Sequence, residues 1–156
     1  IISFDNFLLD GVGSIGTRYC SPGANNSTGG PSRVEATGSA SVSQNNLSLV
    51  AGDLPSNAFG FFLTSQVQGF VANPGGSQGD LCLGGSIGRY VGPGQILNSG
   101  AAGSFTLPLD LTQTPTPTGL VAIGAGETWN FQAWHRDAVG GSATSNFTDG
   151  LSIQFQ

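Results

Sequence analysis

The sequence predicts an all-β fold, an antiparallel β-sandwich of jelly-roll or Greek-key type with one disulfide. Three observations lead there. Apolar and polar residues alternate at period two in run after run, and no sustained period of three to four marks an amphipathic helix. Turn formers separate the runs, with 26 glycines and 8 prolines in 156 residues. Only 8% of residues are charged, too few for ordinary helical surfaces, while 9% are aromatic and the mean hydropathy is +0.06, which separates the chain from the disordered class. The length suits one two-layer domain.

Taken in order, Ile1-Ile2-Ser3-Phe4-Asp5-Asn6-Phe7-Leu8-Leu9-Asp10 reads as a strand and Gly11 to Gly16 as a linker. Residues 1–16 therefore form an N-terminal strand and linker, and residues 17–156 the sandwich module. Ile1 in place of Met reads as the start of a processed or excised piece. Strands are expected near residues 33–42, 58–64, 67–72 and 127–135. Leu47, Leu49 and Ala51 share one strand face. Phe105, Leu107, Leu109 and Leu111 share another, opposite Ser104, Thr106 and Asp110, and Pro108 marks that strand as an edge or a bulge because proline donates nothing to a ladder. Thr112 to Thr118, with Pro115 and Pro117, reads as a stiff extended connector. Gly119 to Ile123, apolar on both sides, reads as the central strand, and Leu151, Ile153 and Phe155 alternate with Ser152 and Gln154.

Nine acids stand against four arginines (Arg18, Arg33, Arg89, Arg136), for a net charge of −5. Phosphate backbones and anionic membranes need a cationic face that this chain cannot assemble, so neither nucleic acid nor a charged bilayer is an expected partner. No apolar run reaches the ~18 residues of a membrane span, so insertion is not expected either. Cys20 and Cys82 have no CxxC context, and a zinc site would need His135 as well. A disulfide in an oxidising compartment is the preferred reading, contributing about 4 kcal/mol on the loop-entropy model; two buried free thiols are the alternative.

Catalytic chemistry finds little support. His135 is the sole imidazole and falls on the strand face of Trp129, Phe131 and Ala133, without a GxSxG elbow. Glu35, Glu127 and the aspartates are not paired by spacing, and several sit where Asp caps turns. No cofactor is expected except a structural calcium, for which Asp80, Asp137 and Asp149 are the candidates. The glycine-rich stretches at residues 73–79 and 92–94 lack the Lys-Ser/Thr ending of a phosphate loop and read as turns. The N-x-Ser/Thr triplets at Asn25, Asn26, Asn46 and Asn146 read as chance in so Ser/Thr/Asn-rich a chain. Trp134 lies opposite Trp129 on one strand, beside Asn130, Gln132 and Arg136. These four are the candidate ligand-binding residues for a saccharide ring on the indole; the competing reading packs Trp134 under a loop.

From residue 19 onward the landmarks Tyr19-Cys20, Phe59-Gly60-Phe61-Phe62, Asn73-Pro74-Gly75-Gly76, Leu81-Cys82-Leu83-Gly84-Gly85, Gly88-Arg89-Tyr90, Glu127-Thr128-Trp129-Asn130-Phe131-Gln132-Ala133-Trp134 and Asn146-Phe147-Thr148-Asp149-Gly150 resemble a C-terminal β-sandwich module of large secreted multidomain bacterial proteins, a module with no established activity. The resemblance implies secretion, a terminal position and upstream domains. His135 stands where that module carries an aromatic such as Tyr or Phe, which argues against histidine chemistry. Residues 1–10 resemble the closing strand of a bacterial carbohydrate-binding-like sandwich domain. The expected function is a non-catalytic module at the cell surface, serving adhesion or carbohydrate binding, with glycans and upstream domains as partners. The alternative is a structural subunit of an extracellular fibre or coat, in which Ile1, Ile2, Phe4, Phe7, Leu8 and Leu9 form a strand donated to an identical subunit.

Overall fold

Period-two patterning becomes fourteen strands in the computed structural model, which describes residues 14–156. In chain order, the first five are β1 (Thr17–Tyr19), β2 (Arg33–Gly38), β3 (Leu47–Gly52), β4 (Phe59–Ser65) and β5 (Val67–Ala72). They are followed by β6 (Asp80–Gly84), β7 (Gly88–Arg89), β8 (Leu97–Asn98), β9 (Phe105–Leu109) and β10 (Thr114–Thr116). The last four are β11 (Gly119–Val121), β12 (Thr128–Val139), β13 (Ser142–Phe147) and β14 (Gly150–Gln154). Among the described residues there is no α-helix, only a 3-10 turn at Pro74–Gly76.

All pairings are antiparallel. The large sheet runs β1-β14-β12-β4-β7, with β13 also on β12 and β8 also on β4; the small sheet runs β2-β3-β9. The twelve-residue β12 organises the large sheet. One of its edges takes β4, from Asn130↔Ser65 to His135↔Gly60. Its other edge takes β14 over Thr128 to Phe131 and then β13 from Trp134 onward. Strands distant in sequence thus become neighbours, so the core closes only when both ends of the chain have come together.

The inner faces of the two sheets meet in one core. Val34 and Ala36 of β2, Leu47, Leu49 and Ala51 of β3, and Phe105, Leu107 and Leu109 of β9 face Phe62 of β4, Trp129, Phe131 and Ala133 of β12, and Leu151 and Ile153 of β14. Phe62 and Phe105 meet edge to face across the layers, with centroids 5.4 Å apart. Full burial of such side chains contributes about 1.5–3 kcal/mol each. Gly60 lets the layers close here, because a Cβ would overlap the Trp134 carbonyl and crowd the Phe105 ring. Pro108 lies on β9, an edge strand opposite Ser48, as its missing donor requires.

Three expectations are corrected. Gly119 to Ile123 is not a central strand: Gly119–Val121 forms a two-stranded ribbon with Thr114–Thr116, leaving Leu120 62% exposed and burying only Ile123. The Thr112 to Thr118 connector is accordingly the other arm of that ribbon. The turn at Thr116 to Gly119, closed by the Thr116 hydroxyl on the Gly119 carbonyl, offers Gly119–Val121 a partner at once, before any distant strand competes. The strand expected over residues 33–42 ends at Gly38, whose φ of 100° turns the chain.

Cys20 and Cys82 form a disulfide, with Cα atoms 6.4 Å apart and a sequence separation of 62. It fastens the loop after β1 to the β5–β6 hairpin, and the Tyr19 hydroxyl donates to the Cys82 carbonyl at 2.8 Å beside it. Burial raises the Tyr19 phenol above its ordinary value, so it stays a donor. Ile15 packs on the core and Gly16 lies tight against the Ser152 carbonyl. The assembly residues Ile1, Ile2, Phe4, Phe7, Leu8 and Leu9 lie outside the described residues.

Candidate functional site

Alternation along β12 sends Asn130, Gln132, Trp134 and Arg136 to the outer face of the large sheet, and cross-strand pairing sets Ser65, Leu63 and Phe61 of β4 beside the first three. This outer face has two halves. The β5–β6 hairpin covers one of them as a third layer, where Leu63, Leu83 and Phe147 form a second small core. Gln132 is fully buried there: its Oε1 accepts from the Cys82 N–H at 2.9 Å, and its Nε2 donates to the Asp80 and Thr148 carbonyls at 2.8 Å each. Asn130, 2% exposed, donates to the Ser65 carbonyl and accepts from Gln68. Both amides are spent on the fold. The sequence expectation that Asn130 and Gln132 contact a ligand is therefore corrected, because the fold takes up their hydrogen bonds: backbone of the hairpin and of the β13–β14 turn for Gln132, the Ser65 carbonyl and the Gln68 side chain for Asn130.

The other half is open. Trp134 is half-buried with Phe61 against it, ring centroids 5.2 Å apart, and Phe59 continues the row at 57% exposure. The Arg136 guanidinium stands 5.4 Å from the Trp134 ring centroid, a cation–π contact. Trp134 and Arg136, with Ala143 and Ser145 of β13 and the loop at Pro74, Gly75 and Gly76, line a groove of about 410 Å³. Of the four predicted ligand-binding residues, the structure brings Trp134 and Arg136 to one groove. Phe61 packs on Trp134, and the sequence carried no sign of it because the pairing of β4 with β12 spans about 70 residues.

The chain matches no family model, no curated protein and no solved structure. The site is therefore read from its own chemistry.

His135 points inward behind the open half, 0% exposed. Its Nδ1 lies 2.9 Å from the Arg136 carbonyl, an acceptor only, so Nδ1 carries the proton and Nε2 accepts from the Ser32 hydroxyl at 3.0 Å. A serine beside a histidine is the start of a nucleophilic pair, but Ser32 is 1% exposed and a backbone carbonyl stands in place of an orienting carboxylate. Burial lowers the His135 pKa, only partly offset by the Arg136 carbonyl and the Asp137 charge.

The three aspartates named for calcium are not brought together. Asp80 accepts from the Asn73 N–H, and Asp137 from the Ser27 N–H. Asp149, 2% exposed, takes the Val34 N–H on Oδ1 and Arg18 (2.9 Å) and the Ser21 hydroxyl on Oδ2, tying β1, β2 and the β13–β14 turn. Among the described residues, no three His, Cys, Asp or Glu side chains are grouped to hold a metal. Glu127 is equally local: one carboxylate oxygen accepts from the Gly124 N–H and the Trp129 indole, and these bonds lower its pKa.

Proposed function

We propose that the chain is a non-catalytic, extracellular interaction module that binds carbohydrate in the Trp134 groove, at the cell surface. The observation that carries the reading is the row Phe59, Phe61, Trp134 on the open half, with Arg136 and Ser145 beside it. An indole face edged by a guanidinium and a hydroxyl suits a sugar ring, which presents an apolar C–H face and a polar rim. The Cys20–Cys82 disulfide supports an oxidising, extracellular setting. No described helix is long and apolar enough to cross a membrane. The sealed Ser32–His135 pair supports the non-catalytic part of the reading, since no substrate reaches a side chain with no exposed surface.

A glycan array probed with the wild type and with Trp134→Ala tests this. Wild-type binding to a defined glycan set, reduced tenfold or more in a folded Trp134→Ala, is the expected result. An array without hits, or one that Trp134→Ala leaves unchanged, overturns it.

A second reading, a fibre or coat subunit assembling by strand donation, draws on a different observation. Among the described residues the outer edge of β2 carries no strand, and beside it runs a groove of about 540 Å³ lined by Ile15 to Arg18 and Glu35 to Thr37. Light scattering with negative-stain imaging of the full chain and of a chain lacking residues 1–13 separates the readings. Ordered polymers that the truncation abolishes support strand donation, and monomers in both dismiss it.

A further inference from the structure

Asp137 is the one inward-facing acid of β12, and it opens on a cleft at the end of the sandwich. Buried Asp137 and Ala58 make the floor, and exposed Ser27, Thr28, Ser56 and Asn57 make the rim of a cavity of about 440 Å³. The carboxylate is half-satisfied. Oδ1 accepts from the Ser27 N–H at 3.1 Å, whereas Oδ2 has no hydrogen-bond partner and the residue is 9% exposed. No ion pair among the described residues includes it: Arg18 binds Asp149, Arg33 binds Glu35 and Asp53, and Arg136 is turned to the Trp134 ring. A buried carboxylate oxygen with neither donor nor counter-charge is costly, and native folds rarely leave one without a purpose.

We infer that this cleft binds a protonated primary amine, and, resting on the carbohydrate reading above, that the amine belongs to an amino sugar with a free 2-amino group. An ammonium brings three donors and a positive charge. One N–H serves the Asp137 carboxylate, and the hydroxyl oxygens of Ser27, Thr28 and Ser56 are the acceptors at the rim for the others. A neutral sugar hydroxyl would supply a donor but leave the charge unmatched. The net charge of −5, without a lysine to compete, draws a cationic ligand towards the protein. Arg136 lines both this cleft and the Trp134 groove, which lie towards opposite faces of β12.

The test is calorimetric titration of the full chain with a glucosamine hexamer, an N-acetylglucosamine hexamer, cellohexaose and a short lysine-containing peptide, using the wild type, Asp137→Asn and Trp134→Ala. The expected result is that the glucosamine hexamer binds wild type at least tenfold more tightly than the two neutral hexamers. Added salt should shrink that preference and Asp137→Asn should abolish it. The acetylated hexamer tests the charge on unaltered protein, so the outcome does not depend on how the variant folds. Equal binding of all three hexamers through Trp134 overturns the amine subsite and leaves the carbohydrate reading standing. Binding of the lysine peptide alone, lost in Asp137→Asn, upholds an amine subsite but overturns its assignment to a sugar. Binding of no probe overturns both.

Discussion

The two halves of the outer face of the large sheet are built from the same strands, β4 and β12, yet they do opposite work. In the covered half, outward residues are amides and aliphatics: Gln132 ties the hairpin backbone down, Asn130 holds the Ser65 carbonyl and the Gln68 side chain, and Leu63 packs against Leu83 and Phe147. In the open half, the next outward residues are Trp134 and Arg136, with Phe61 and Phe59 across from and beyond them; Trp134 and Phe61 pack one side against the second core and keep part of their surface exposed. The difference lies in what the side chain asks of its neighbours. A buried amide needs backbone donors and acceptors at fixed positions, which the β5–β6 hairpin provides, whereas an aromatic edge tolerates water on one side. One strand thus carries a structural joint and a recognition surface a few residues apart.

Breaking the joint should have the largest effect. Replacing both Cys20 and Cys82 by serine removes the fastening of the hairpin and should lower unfolding free energy by about 4 kcal/mol. Urea denaturation measures this, and hydrogen exchange should rise first in β5 and β6. Gln132→Ala follows at about 3 kcal/mol, because the Cys82 N–H and the Asp80 and Thr148 carbonyls lose their partner in a buried place. A loss under ~1 kcal/mol would mean that water replaces the amide and that the covered half is wetter than its burial indicates.

Much of this was legible in the sequence. Leu47, Leu49 and Ala51, the Phe105 to Leu111 row and the Leu151, Ile153, Phe155 row face the core as their alternation requires, and Trp129 is buried where Trp134 is not. Pro108 announced its edge strand. Alternation names the two faces of a strand but not what lies over each. Asn130 and Gln132 read as solvent-facing because nothing local reveals a third layer contributed from 50 residues away in sequence. Gly119 to Ile123 misled for the converse reason: apolar residues on both faces fit a central strand, yet a short-range turn partner captured the segment. The Trp134 groove was half legible, since its own strand supplied Trp134 and Arg136 while its neighbours came from pairing.

Trp134→Ala sharpens the comparison from the open side. With one flank in water, Trp134 should cost only about 1 kcal/mol of stability on truncation, well under the usual 3–5 kcal/mol for a core Trp, while ligand binding falls tenfold or more. A stability loss of core size would assign Trp134 to packing and remove the main support for the groove.

The smallest effect should come from behind the open half, at His135. Its pKa is lowered in the folded protein, chiefly by burial, while in the unfolded chain it sits near the ordinary value of about 6.5. Between those values the unfolded state binds the extra proton, so stability rises with pH in that window and is lost as pH falls below about 6.5 towards the folded value. The slope is at most about 1.4 kcal/mol per pH unit. Glu127 and Asp110, whose carboxylates are held ionised by local hydrogen bonds, lose their contributions only further into acid, and His135 is the chain's sole histidine. Urea midpoints between about pH 7 and 5 should therefore fall in the wild type and stay nearly flat in His135→Gln. If the variant keeps the wild-type slope, the proton is taken up elsewhere. If the slope vanishes and the protection of β5 and β6 against exchange, relative to the intrinsic rate at each pH, is unmoved, acid loosens the molecule behind the open half while the covered half holds.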